Sequence, residues 1–147
     1  MKSILIPTDY SEDTLHAMEL TWRNSNREQV KVVLLQLSAL PDSESQLLFL
    51  ANGDESDLNS EQRLLEEWEI RKSLLEISIE VIQHHQYGAS VPIIRQIIEQ
   101  HGITSVIVPF SIRDTNEEVY QEAMQSFRTL DCKITLMPER QTTFSLE

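Results

Sequence analysis

Glycine is scarce in this chain of 147 residues. It occurs three times, where average usage of about 7% would give roughly ten. Gly53, Gly88 and Gly102 stand far apart, so none belongs to G-x-x-x-x-G-K-[ST] or G-x-G-x-x-G, the loops whose backbone N–H groups cradle phosphates. Such loops use glycine because a Cβ blocks the close approach and positive φ they need. Cysteine occurs once, at Cys132, which excludes an internal disulfide and a cysteine-based zinc site. Bases are few as well: 12 Lys and Arg against 24 Asp and Glu, a formal charge of −12. They are spread evenly along the chain with no run of Lys and Arg. A nucleic-acid binder needs a basic face to displace counterions, and an anionic membrane repels such a chain, so neither is an expected partner. No apolar run approaches the roughly 18 residues of a spanning helix. No charged segment leading into an apolar stretch reads as a secretory leader. The expected location is the cytoplasm.

The length predicts one domain, over residues 1–138. A tail at 139–147 lacks periodicity, and its final Leu146-Glu147 reads as a vector-derived remnant. A chain of about 150 residues buries roughly 68–70% of its unfolded surface, enough for a core without staples.

Ser3-Ile4-Leu5-Ile6-Pro7 is a continuous apolar run, the pattern of a strand buried on both faces. Ser11 then supplies a helix N-cap, Glu12 and Asp13 suit the first turn, and Leu15, Met18 and Trp22 carry helical spacing to about Asn24. Val30 to Leu37 reads as a second buried strand, and residues 38–57 as a loop with one helical turn. A helix over 58–75 follows, with Leu58, Leu65, Trp68 and Leu75 on one face. From Asp54 to Glu69 seven acids face Arg63 alone, a net charge of −6. That run reads as a solvated face, with docking of a basic partner the sharper alternative.

Ile77 to Gln83 alternates like a strand near a sheet edge, ended by His84 and His85. Val91 to about His101 is a helix with Pro92 in its first turn and Gly102 at C′. Ser105 to Pro109 is a further strand. Thr115 to Glu118 fits a capping box for a helix over 116–129 with Val119, Ala123, Phe127 and Leu130 inward, and Lys133 to Met137 is the last strand. Strict β/α alternation with buried strands means a parallel sheet with helices on both faces, whose ligands sit at the carboxyl ends of the strands.

Ile4-Leu5-Ile6-Pro7-Thr8-Asp9-Tyr10-Ser11, running into Ala17 on the first helix, resembles the opening of the universal stress protein family. Val32 to Leu37, Val106-Ile107-Val108 and Asp131 to Leu136 are similar to its second, fourth and closing strands. The resemblance implies a five-stranded parallel sheet of order 3-2-1-4-5, like that of the adenine nucleotide alpha hydrolases, and a homodimer through the strand at 133–137. It also implies a regulatory role in the stress response and, in nucleotide-binding members, an Asp on the ribose, strand-two residues on the adenine and a glycine-rich loop after strand four on the phosphates. Pro7, Thr8 and Asp9 match, and Leu37 stands on the adenine side. The loop does not match. Pro109-Phe110-Ser111-Ile112-Arg113-Asp114 puts side chains where the family has glycine, and Asp114, Glu117 and Glu118 add negative charge there.

The expected function is therefore a non-catalytic regulatory or interaction protein with an unidentified protein partner and no cofactor. ATP binding in the usual family mode is disfavoured. The alternative is a nucleotide or nucleoside module, for ATP, AMP or adenosine, in which Asp9 and Leu37 hold ribose and base and Ser111 or Arg113 replaces the glycines. No metal site is expected: His84 and His85 are adjacent, so in an extended chain they face opposite ways. Cys132 reads as an inert thiol, Trp22 and Trp68 as core.

Overall fold

Val32 and Leu34 face one side of their strand, Val33 and Leu35 the other, and all four are buried. Only a strand covered on both faces shows this. A computed structural model describes residues 2–25, 28–39 and 55–139. The element order is β1 (Lys2–Pro7), α1 (Glu12–Arg23), β2 (Val30–Ser38), α2 (Glu55–Leu75), β3 (Ile79–Tyr87), α3 (Val91–His101), β4 (Ser105–Val108), α4 (Phe110–Arg113), α5 (Glu118–Thr129) and β5 (Ile134–Leu136). The strands form one parallel five-stranded sheet in the order β3-β2-β1-β4-β5, the expected α/β fold. Among the described residues no helix is long and apolar enough to cross a membrane.

Each face of the sheet carries its own core. On one side Ile4, Ile6, Val32 and Leu34 pack against Leu15 and Met18 of α1 and Leu64 and Trp68 of α2. On the other, Leu5, Val33 and Leu35 pack against Ile94 and Ile97 of α3 and Ala123 and Phe127 of α5. The strand period of two thus distributes one continuous apolar run between two layers of helices.

Several boundaries differ from the sequence expectation. Helix α2 begins at Glu55 rather than 58, and its last turns leave Ile70, Leu74 and the supposedly inward Leu75 58–77% exposed. Strand β3 covers 79–87 rather than 77–83, because its pairing with β2 continues from Val30↔Ile79 to Ser38↔Tyr87. His84 and His85 therefore lie within the strand instead of ending it. The Thr115 capping box does not form: the Thr115 hydroxyl oxygen accepts the Glu117 N–H at 3.2 Å, a local turn, and α5 starts at Glu118. Ser11 occupies the N-cap position of α1 without capping it through its side chain. The last strand is the shorter 134–136. Residues 40–54 of the expected irregular segment, and 140–147 of the tail, lie outside the described residues.

Candidate functional site

The chain leaves β1 through α1 toward β2, and enters β4 from the opposite side through α3. The carboxyl ends of β1 and β4 are therefore the switch point at which a sheet of this kind opens a crevice. Two short segments meet there: Thr8 to Ser11 after β1, and Pro109 to Ser111 after β4.

Thr8 is fully buried and every polar group it has is engaged. Its N–H donates to the Leu35 carbonyl at 2.9 Å. Its hydroxyl oxygen accepts the Tyr10 N–H at 2.8 Å and lies 2.7 Å from the Thr14 hydroxyl. This tight turn holds Tyr10 at φ +58°, a conformation that costs a non-glycine residue roughly 1–2 kcal/mol and is retained because Tyr10 is buried. Pro7, the last residue of β1, is buried opposite Leu35.

Asp9 is exposed. Its Oδ1 accepts the Ser11 N–H at 3.0 Å and the Ser111 hydroxyl at 3.1 Å. Ser111 has one hydroxyl proton, which Asp9 takes, so the Ser11 hydroxyl, 3.1 Å away, donates to Ser111. A chain of hydrogen bonds from Ser11 through Ser111 to Asp9 ties the two sides of the switch point together.

Beside it, the Tyr120 hydroxyl of α5 donates to the Thr8 carbonyl at 2.8 Å and accepts the Leu37 N–H at 3.1 Å. Burial is the main reason its pKa rises far above 10. The Leu37 N–H opposes that rise, and Glu117, Asp9 and Tyr10 add to it. Leu37 itself is 4% exposed, packed into the core. Its side chain thus lies beneath the site, and its N–H is occupied by a side chain of the same molecule.

The structure brings Thr8, Asp9, Leu37 and Ser111 into one region but not Arg113. The Arg113 guanidinium donates to the Met137 carbonyl at 3.3 Å, on the β5 side. It lines an open groove of about 540 Å³ together with Gln121, Gln125, Arg128 and Leu136. A second groove of about 230 Å³ runs between α1 and α2, past Ser11, Leu15, Arg63 and Leu64. Neither groove includes Asp9 or Leu37. After β4 the backbone forms the helical turn α4, with Ile112 buried. A phosphate-wrapping loop would need that backbone to be open. Tyr120 was not singled out by the sequence, since its spacing merely widens the apolar stripe begun by Val119.

A model of the universal stress protein family matches residues 1–126. Among solved structures, a universal stress protein family member from Burkholderia pseudomallei aligns at 12% identity with a TM-score of 0.58, covering 94% of this chain and 96% of that one. The universal stress protein UspA from Lactobacillus plantarum aligns at 14% identity, TM-score 0.57, covering 93% and 97%. An Arabidopsis thaliana family protein with AMP bound aligns at 12% identity, TM-score 0.51, covering 95% and 93%. No curated protein matches the sequence significantly.

Proposed function

The chain belongs to the universal stress protein family, and from that premise we propose that it acts as a non-catalytic regulatory or interaction protein that does not bind ATP in the manner usual for the family. The observation that carries this reading is the use of the would-be ligand groups by the chain itself. The Thr8 carbonyl and Leu37 N–H share the Tyr120 hydroxyl, and Asp9 accepts from Ser11 and Ser111. A nucleotide that used the Leu37 N–H would have to displace the Tyr120 hydroxyl, and its phosphates would then lie beside exposed Asp114, Glu117 and Glu118, which repel a polyanion. Titration calorimetry with ATP, AMP and adenosine tests it. No heat is expected. Binding that disappears in Asp9→Ala overturns the proposal in favour of a nucleotide or nucleoside module, a reading favoured by the AMP bound to the Arabidopsis relative and by the exposure of Asp9.

The proposal includes a homodimer through β5. Among the described residues that strand pairs only with β4, and Leu136 is 44% exposed. An unpaired apolar edge invites pairing with another chain. Light scattering at micromolar concentration is expected to give twice the chain mass, and a monomer that persists on concentration would exclude the dimer.

A further inference from the structure

The histidine pair that matters is not the adjacent one. His84 lies in β3 on the side of Ile82 and Gln86, the face covered by α3, and His101 is the last residue of α3. Their rings meet edge to face at 78°, centroids 5.4 Å apart, with His84 Nδ1 3.2 Å from His101 Nε2. Both residues are half-buried and so reachable from solvent.

Gln86 sets which nitrogen of His84 is bare. Its Nε2 donates to the Tyr87 carbonyl at 3.3 Å, which leaves its Oε1 facing His84 Nε2 at 3.2 Å. His84 Nε2 therefore carries the proton, assigned from this network. Nδ1 holds a lone pair toward His101 and accepts its Nε2–H.

We propose that His84 Nδ1 and His101 Nε2 form a two-ligand site for a divalent transition-metal ion of the borderline class, such as Zn²⁺, Ni²⁺ or Cu²⁺, with Gln86 as the positioning residue. Imidazole binds zinc at roughly 2.0–2.1 Å. Two such bonds to nitrogens 3.2 Å apart enclose an angle of about 100°, between the octahedral and tetrahedral values. The ion replaces the shared proton after small rotations of the rings. His101 moves that proton from Nε2 to Nδ1, a tautomer change in a neutral ring with no net proton released. A ligating histidine ordinarily donates its other N–H to a fixed acceptor, the part Gln86 already plays. Among the described residues no third His, Cys, Asp or Glu joins the pair. Water or an external ligand completes the coordination, and affinity should follow the order Cu²⁺ above Ni²⁺ and Zn²⁺. Such an ion would clamp the edge strand β3 to the end of α3.

The test uses the full chain, stripped with chelator and titrated with ZnCl₂ and NiCl₂. One equivalent is expected to bind in calorimetry, with a rise of a few degrees in melting temperature at saturating zinc. Binding should be lost in His84→Gln and in His101→Gln, and fall about 10-fold in Gln86→Ala. It should persist in His85→Gln, whose Nε2 faces the Ser38 hydroxyl at 2.7 Å, and in Cys132→Ser. The wild type supplies a readout that does not depend on variants folding: substoichiometric Ni²⁺ should broaden the ring resonances of His84 and His101 before those of His16 and His85. No binding up to millimolar metal, binding unchanged in either His84→Gln or His101→Gln, or broadening led by His16 or His85, overturns the proposal.

Discussion

The Tyr120 hydroxyl reaches across 112 positions of sequence to donate to the Thr8 carbonyl, and in the same position it accepts the Leu37 N–H. One phenol thereby joins the ends of β1 and β2 to α5. Tyr120→Phe keeps the ring and removes the hydroxyl, leaving a buried carbonyl and a buried N–H unmatched. The expected cost is about 1–3 kcal/mol, read as a lower urea midpoint with an unchanged slope. Thr8 and Leu37 keep their other contacts, so the far-UV spectrum should not change.

Glycine scarcity leaves its mark at helix ends. Three helices close in the same Schellman pattern, with the C″ N–H bonded to the C3 carbonyl: Ile77 to Lys72, Ile103 to Ile98, and Cys132 to Phe127. Each needs a residue at positive φ at C′. Gly102 fills one such position at φ +63°, but Glu76 at +52° and Asp131 at +62° fill the others. Both acids also sit at the negative end of a helix dipole. Glu76→Gly and Asp131→Gly should each stabilise the protein by about 0.5–1 kcal/mol, additively because the sites belong to different helices. Gly102→Ala should do the reverse. No neighbouring atom stands within 4 Å of its added Cβ, so the backbone conformation alone accounts for the loss. Thermal melts of the three variants decide this.

Strand positions and the parallel sheet are legible because β1, β2 and β4 are buried on both faces and read as unbroken apolar runs, whereas the order 3-2-1-4-5 follows only from the resemblance of Ile4 to Ser11 to the universal stress protein opening. The helix ending at Gly102 was legible because proline and glycine mark its two ends. The extent of β3 was misread because pairing with β2, a tertiary effect, carries the strand through the polar His84 and His85. The Thr115 motif failed because its hydroxyl finds the nearer Glu117 N–H. At the candidate site, Asp9 and Thr8 stood out because they directly follow a strand. Tyr120 does not, nor does His101 of the histidine pair, since each meets a partner distant in sequence that no local pattern announces.

Arg71 connects α2 to α1: it lies 2.5 Å from Glu19 and, within its own helix, 2.8 Å from Glu67. The Arg71 side chain is 35% exposed and Glu19 17%, so water screens much of the attraction. Arg71→Ala should cost no more than about 1 kcal/mol. The difference from wild type should shrink further between 0.05 and 0.5 M salt, roughly, as the Debye length shortens. Denaturation at the two salt levels measures both effects.

Alkaline pH should expose the Tyr120 bridge most directly. Desolvation raises the pKa of Tyr120, and also that of Tyr10, above 10 in the folded state. In the unfolded chain both phenols return to about 10. Between those values the folded state holds more protons than the unfolded one, so stability falls as pH rises. The contribution is complete below pH ~10 and is lost progressively above it. Phenolate absorbance can be followed against far-UV ellipticity from pH ~8 to ~12.5. The absorbance difference between wild type and Tyr120→Phe should stay flat until the fold is lost and then rise with unfolding. A difference that climbs near pH ~10 while ellipticity is intact would mean that the hydroxyl is open to solvent and does not bridge Thr8 and Leu37.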